Sequence, residues 1–590
     1  MARLPEPPLN LDYEEWRKLP YLQRLRPLVL RWAEHGADLP AVVLVFYLVK
    51  LLVYLGAGVG IVSLTPGLGS PLDFPHWWSE TIVYQKIVVF TMLFEVLGLG
   101  GGAGPLNFRF QRPFTSYWHW FRPGTIRQPP WPRLVPATKG DTRTLVDVLL
   151  FGAFTANLLL ILLAPGQGVP AAGETVGRLG AGYVLPAVVL LAVIGLRDKT
   201  IFLAARAEMY WVAMIIFMFP GDDMMIGLQL ALLLIWWGAG FSKLTRLFPY
   251  AVTAMLSNSP GRPLWFKRMM YRDVPSDIRP SLAATVLTHV GSAIELGVPF
   301  LLLTTHGYVL AAAVAVMVIF HLHIISTVPV GTPNEWNVFM IFGVLTLFWA
   351  HRDISVMDTQ NPLLIVGLVV VLAGPVLLGN FRPDLVSFLP GMRYYAANWA
   401  TSLWCFKDGA DSRLAPNIIK ASGTTKEQLA ALFSAEYTEV ADLKVRAWRS
   451  LHPHGRALNG LLTHTFGADI GRYSVLDGEL LCGAVMGWNF GDGHLHDERL
   501  LASVQKRCRF GEGELVVIIL ESQPLHRQRQ RYRIVDAVTG RLEDGYVYTK
   551  EMVARQPWLG DDMSIPLEII WRSSPEVGNL DSHSTDRPVS

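Results

Sequence analysis

Apolar stretches of about 17 to 24 residues recur along the chain between Leu39 and Leu378, separated by short polar or basic connections. As a helix, each is long enough to cross a hydrocarbon core of about 30 Å. The pattern predicts spanning helices at about 40–64, 82–100, 145–164, 177–196, 201–219, 224–242, 281–304, 308–328, 334–350 and 362–380. Beyond Phe406 the charge density rises and no spanning stretch remains. There, residues 425–451 have helical periodicity, and ELVVIILES (514–522), RYRIVDAV (531–538) and DGYVYTKEMV (544–553) read as strands. Thr539-Gly540 marks an antiparallel hairpin between the last two.

The expected fold is an all-α polytopic membrane domain of about ten transmembrane helices followed by a smaller α+β soluble domain. Its parts are an amphipathic N-terminal segment (1–39), the transmembrane domain (40–380), an interfacial linker (381–405), the soluble domain (406–575) and a disordered polar tail (576–590).

In residues 11–38, Trp16, Leu19, Leu22, Leu25 and Leu28 alternate with Arg17, Lys18, Arg24, Arg26 and Arg31. Such a basic amphipathic segment lies on the inner membrane surface or packs its apolar face on the protein. The connection 104–143 holds FTSYWHWFRPG (114–124) and QPPWPRL (128–134), rich in the aromatic and basic residues that favour the headgroup layer. The glycine run GLGGGAG (98–104) lacks the Lys-Ser/Thr of a phosphate loop and reads as a helix end or close helix packing.

Charge orients the chain. Arginines and lysines crowd residues 104–143, 197–199 and 246–279, whereas the opposite connections carry Asp73, Glu80, Glu174, Asp222 and Asp223. By the positive-inside rule, the N-terminus, the basic loops and the C-terminal domain face the cytoplasm, in the cell's inner (plasma) membrane. The connection Val330–Glu335 falls on that side without a basic residue. Nothing at the N-terminus reads as a cleavable signal, and the first apolar run reads as an uncleaved anchor.

Composition agrees: 51% of residues are hydrophobic and only 17% charged, below the soluble norm of roughly 25%. A net charge of +3 argues against a nucleic-acid partner. Cys405, Cys482 and Cys508 form no CxxC pair, and no metal site is expected.

Charged side chains inside a bilayer mark a functional site or a buried pair. The candidates are Lys86, Glu95, Arg206, Glu208, Lys243 and Glu295, joined by His289, His321 and His323. Lys86 and Arg206 sit near helix ends, where snorkelling is expected, with Glu208 pairing to a neighbouring helix. Glu95 is deeper. Thr288, Ser292 and Glu295 are spaced i, i+4, i+7 and share one helix face, with His289 at its margin. In FHLHII (320–325), His321 and His323 are about 200° apart and cannot share one metal from a straight helix. In the soluble domain, His452, His454 and His464 cluster in sequence, as do His494 and His496 in GDGHLHDE; HxH beside Asp492, Asp497 and Glu498 is a metal-binding pattern, but such polar loops are common and an ordinary loop is the expected reading.

The tract LLLIWWGAGFSKL (232–244), followed by THVGSAIELGVPFLLL (288–303), VIFHLHI (318–324) and TLFWA (346–350), resembles vitamin K-dependent γ-carboxylase-like membrane proteins, the HTTM family. The likeness covers about 120 residues. It implies that Lys243 is a catalytic base in oxidation of a reduced quinone, with His289, Glu295 and His321 as neighbours. Over its whole length, with SNSPGRP (257–263) and NWATSLWCF (398–406), the chain more closely resembles an uncharacterised family of actinobacterial transmembrane proteins. Three functions follow: a membrane-embedded enzyme acting on a lipid or quinone-like substrate of unknown cofactor, a transporter or lipid-translocating protein, and a scaffold whose soluble domain recruits a partner.

Overall fold

The computed structural model describes residues 6, 9, 11–36, 41–101, 103–104, 109, 112–327, 334–488, 493–560 and 563–573. The N-terminal segment, most of the connection at 330–335, Asp492 and the tail after 573 fall partly or wholly outside the described residues.

Among the described residues, six helices are long and apolar enough to cross a membrane: Val42–Ser63, Leu145–Leu163, Gly221–Ser242, Leu282–Thr304, Gly307–Thr327 and Pro362–Phe381. The expected count of about ten is not confirmed, because four of the apolar segments are short or interrupted. Thr81–Val96 ends early, where the glycine run begins. At roughly 1.5 Å per residue, its 16 residues span only about 24 Å. Ala181–Arg197 is one residue longer. The segment expected at 201–219 breaks into Thr200–Ala204 and Tyr210–Ile216, with Arg206 at a φ of +48° between them. A left-handed arginine cannot continue a right-handed helix. Asn334–Gly343 widens into a π turn over Val344–Ala350.

Burial sorts the helices into layers. Gly221–Ser242 is 89% buried and runs through the centre, whereas Val42–Ser63 is 22% buried and turns Val45, Leu48, Leu52 and Val53 outward. Thr81–Val96 is buried along nearly its whole length. The two interrupted segments therefore belong to the interior, where neighbouring side chains can satisfy backbone groups that a break exposes.

A hairpin, β1 (Tyr271–Asp273) and β2 (Asp277–Pro280), precedes the C-terminal region. There, β3 (Thr401–Lys407), β4 (Tyr473–Asp477), β5 (Leu515–Leu520), β6 (Arg529–Asp536), β7 (Gly540–Tyr548) and β8 (Leu567–Arg572) form one antiparallel sheet in the order β4-β3-β5-β6-β7-β8. The β6–β7 hairpin turns at Thr539-Gly540 as expected, and residues 549–554 form a helix instead of extending the strand. β3 straddles the boundary expected at 406.

Both sheet faces are covered, which explains the unbroken apolar run of β5. Trp404, Val517 and Ile519 join the core shared with the membrane helices, while the alternating Cys405, Val516 and Ile518 join a second core. The second core is built from the helices Ala435–Leu451, Pro453–Phe466 and the N-terminal Leu25–His35. Of the two readings of the amphipathic segment, packing on the protein is the one realised. Leu25, Leu28, Val29 and Trp32 are buried, and Trp32 Nε1 donates to the Lys444 carbonyl at 3.1 Å.

The C-terminal region is bolted to the membrane helices through the 104–143 connection. Trp120 Nε1 donates to the Met486 carbonyl at 3.2 Å, Gln128 Nε2 to the Leu495 carbonyl at 2.6 Å, and Arg507 pairs with Asp141 at 2.7 Å. Trp118 and Trp131 remain exposed, as a headgroup-layer segment requires, but His119 and Trp120 turn inward. At the same junction Arg533 bridges Glu498 and Glu521, and His494 approaches Glu521 at 3.2 Å. Burial alone would raise the Glu521 carboxyl, but His494 and Arg533 outweigh it and hold it down at about 2.

Two outcomes follow. Trp32→Ala, at a typical cost of about 3–5 kcal/mol for a buried tryptophan, should speed amide exchange in 25–35 and 435–451 while leaving Gly221–Ser242 unchanged. Unaltered exchange would contradict the packing. Glu521, with its carboxyl depressed, stabilises the fold fully above the ordinary carboxylate range and loses that contribution as pH falls towards 2. The contribution is about 3 kcal/mol by linkage. Glu521→Gln should therefore flatten the acid-unfolding curve of the C-terminal region between about pH 4.5 and 2, read by near-ultraviolet circular dichroism.

Candidate functional site

Lys243 caps the C-terminal end of Gly221–Ser242, buried, with its Nζ in direct ion pair with Glu295 Oε2 and 5.2 Å from the Phe248 ring centroid. Gly240 allows this approach, because a Cβ there would press on Leu296 at 2.9 Å and on the Glu295 Cβ at 3.2 Å. Thr288 and Ser292 share the buried face with Glu295, as their spacing predicts, but their hydroxyls donate to the carbonyls of Ala284 and Thr288 in their own helix.

His321 is buried on the neighbouring helix. Trp236 Nε1 donates to its Nε2 at 3.0 Å, and an indole N–H can only donate. The Nδ1 therefore carries the hydrogen and donates to Asn337 Oδ1 at 2.9 Å. His289 is exposed on the outer face of its helix. The structure thus joins Lys243 to Glu295, gives His321 its own partners and turns His289 away. Lys86 does not snorkel: it is fully buried and donates to Thr65 Oγ1 and the carbonyls of Leu162 and Ala164 at 2.6–2.8 Å.

A second polar centre lies where the 200–216 segment breaks. Arg206 and Glu208 pair with each other at 2.9 Å across the break, both side chains buried. Arg206 Nη2 donates to Tyr395 Oη at 3.0 Å, and its guanidinium lies 4.8 Å from the Trp336 ring centroid. Lys50 pairs with Glu335 at 3.2 Å and donates to the Gly100 carbonyl at 2.7 Å. Glu95 lies between these pairs, close enough for Glu335, Arg206 and Lys50 all to act on it electrostatically.

The glycine run cradles Glu95. The Gly101 amide donates to Glu95 Oε2 at 3.1 Å, and a Cβ on Gly100 would collide with the carboxylate. Its other oxygen, Oε1, is buried without a hydrogen-bond partner among the described residues, as are Glu208 Oε2 and Tyr210 Oη. Buried polar atoms are ordinarily bonded. Beside them is a small cleft lined by Glu95, Gly98, Gly100, Gly101, Arg206 and Trp488, the last from the C-terminal region and with its own Nε1 unpartnered among the described residues.

Charge sharpens the contrast between the two centres. Lys243 and Glu295 cancel. The second centre holds three carboxyl groups, Glu95, Glu208 and Glu335, against two cations, Lys50 and Arg206, among the described side chains. Sequence reasoning singled out Glu95, Arg206 and Glu208 as intramembrane charges. It missed Lys50 and Glu335, whose signal was the same: a lysine inside an apolar run and an acid opening one.

The Lys243–Glu295 pair has a testable energetic signature. Lys243→Met alone should cost about 3–5 kcal/mol, because it strands a buried carboxylate. Adding Glu295→Gln should restore most of the thermal midpoint in detergent. A single variant as stable as the parent would show that the pair is not a buried lock.

No curated protein and no solved structure matches the chain. The carboxylase-like resemblance of the 232–350 tract gains no support from the comparisons. At the level of families, residues 4–570 match the one described as a transmembrane protein of unknown function, DUF3556. With nearly all of its length inside that match, the chain belongs to the DUF3556 family of transmembrane proteins.

Proposed function

We propose that the protein is a membrane-embedded enzyme that takes a lipid-like or quinol-like amphiphile by a hydrogen-bond-donating head group, seated in the cleft at Glu95. The observation that carries this reading is the unpartnered Glu95 Oε1 beside an opening lined by Arg206 and Trp488. A hydroxyl or ammonium group entering the cleft supplies the missing donor. The surplus of carboxyl groups over cations favours a ligand that brings a proton or positive charge. A carboxylate so placed can also accept a proton from a hydroxyl, the role of a general base. The apolar tail of the ligand then lies among the surrounding helices.

On this reading Lys243, Glu295 and His321 position the central helix and do not meet substrate, since their polar atoms are used by one another, Trp236 and Asn337. The basic connections and the C-terminal domain face the cytoplasm by charge, so the cleft receives its ligand at the cytoplasmic surface of the membrane. A second reading, movement of a lipid or ion across the bilayer, is favoured by one feature: the buried break at Arg206. Transporters commonly build their sites from such interrupted helices.

Mass spectrometry of co-purifying lipids tests the proposal. Protein purified in mild detergent should carry a hydroxyl- or amine-bearing amphiphile, and Glu95→Gln should lose at least about nine-tenths of it, as expected when a buried charge-assisted hydrogen bond is removed. The Lys243→Met/Glu295→Gln double variant should keep it. Retention by Glu95→Gln, or no amphiphile above the level carried by an unrelated membrane protein, would sink the reading.

A further inference from the structure

The spanning helices Leu282–Thr304 and Gly307–Thr327 are joined by Thr305 and His306 and pack as an antiparallel pair. Ser281, before the first, and Ser326, near the end of the second, therefore lie at the same end of the pair. The connection 259–270 is pinned to both. Ser259 Oγ donates to the Ser326 carbonyl at 3.0 Å, and Ser281 Oγ donates to the Met269 carbonyl at 2.7 Å. The Ser281 amide adds a bond to the Met270 carbonyl at 2.9 Å. Since a spanning helix ends near the edge of the hydrocarbon, these bonds hold the connection at headgroup depth.

The side chains suit that depth. Within the connection, the short helix Leu264–Met269 buries Lys267 but leaves Leu264, Trp265 and Met269 exposed, Trp265 to 67%. Tryptophan favours the boundary between headgroups and acyl chains.

Arg262 stands apart from its neighbours. Arg268 pairs with Glu34 at 2.7 Å, and Arg279 pairs with Asp277. The Arg262 guanidinium lies 5.1 Å from the Phe266 ring centroid and makes no ion pair among the described residues. Stacking uses the flat face of the group and leaves its hydrogen-bonding edge open.

Arg262 is also close enough to His323, on the second helix, to act on it electrostatically. His323 is exposed, and so are Val316 and Ile319, seven and four residues before it. That spacing puts the three on one helix face. The face is an apolar track about 10 Å long that ends in an imidazole and an unpaired guanidinium. A bare anion would satisfy Arg262 and leave the track uncovered. An uncharged chain would cover the track and leave Arg262 unpaired. A molecule with an anionic head and an apolar tail meets both needs.

We propose that this corner of the membrane domain binds an anionic phospholipid, its phosphate held by Arg262 beside His323 and one acyl chain laid along Val316 and Ile319. The guanidinium fork matches phosphate oxygens in pairs, which fixes orientation as well as affinity. By the positive-inside rule the leaflet is the cytoplasmic one, whose anionic lipids attract cations at the membrane surface. The choline of a zwitterionic lipid would face the same arginine, so the site prefers a head group of net negative charge. The assignment is independent of the Glu95 cleft.

Native mass spectrometry of the delipidated full chain in mild detergent, counting the first lipid bound, tests it. The probes are dioleoylphosphatidylglycerol, dioleoylphosphatidylcholine and inorganic phosphate. The phosphatidylglycerol should bind at least about fivefold more tightly than the phosphatidylcholine, the size expected for one cation at an anionic surface. Arg262→Gln should remove that preference at an unchanged lipid-free thermal midpoint, and Arg262→Lys should keep part of it. Arg133→Gln, which removes an exposed arginine from the other long basic connection, should leave it intact, as should Glu95→Gln. Equal binding of the two lipids, or a preference that survives Arg262→Gln, would overturn the proposal. Displacement of phosphatidylglycerol by equimolar inorganic phosphate would equally overturn it, by revealing an anion site that takes no lipid. So would a dimer mass that disappears in Trp265→Ser, because a second copy of the chain would then cover this face.

Discussion

A charged group moved out of water into a low-dielectric interior must find its counter-charge there, and this requirement shapes the membrane domain more than any other. Lys50 meets Glu335, Arg206 meets Glu208, Lys243 meets Glu295, and Lys86 meets three oxygens at a helix end. Each of these joins segments distant in the chain or bridges a break within one. Because a stranded partner of a buried pair typically costs several kcal/mol, the pairs fix which helices can be neighbours. The arrangement around Arg206 is the clearest case. Its guanidinium ties the broken segment to Glu208, Tyr395 and Trp336, and that break opens the space beside Glu95.

The same requirement separates a closed centre from an open one. Around Lys243 the two buried charges cancel in the pair with Glu295, and the Trp236–His321–Asn337 chain continues that order into the next helices. Around Glu95 the bookkeeping does not close among the described residues: an acceptor, a second acceptor on Glu208 and the Tyr210 hydroxyl are left over. Satisfied networks rigidify a core, and partly satisfied ones point to something that completes them. Function is placed at the open centre for that reason.

Much of this was legible in the residues. The apolar runs located the six long apolar helices described in the membrane domain, because hydrophobic length is a local property, but not shorter ones such as Phe248–Asn258. The Thr539-Gly540 hairpin followed from local turn chemistry, and the shared face of Thr288, Ser292 and Glu295 from helical spacing. Continuity of those helices was not legible. Nothing in IFLAARAEMYWVAMIIF (201–217) forbids an unbroken helix; the break comes from the partners that Arg206 finds in tertiary space. Nor was the pairing of charges, since Lys50 and Glu335 lie far apart in sequence. His289 shows the limit of periodicity: one residue beyond Thr288, it sits on the outer side of the helix. Strands β3, β4 and β8 escaped because their apolar residues were short runs between helices, given their place only by pairing across the sheet.

The account rests on an interior break at Arg206 that opens a ligand-accepting cleft at Glu95. Electron cryomicroscopy of the full chain in lipid nanodiscs, at a resolution that separates side chains and bound lipid, measures this directly. The account predicts that residues 200–216 are interrupted at Arg206 and that non-protein density touches Glu95 Oε1. A continuous helix through Arg206, with Glu95 bonded only to other side chains of the protein, would contradict it.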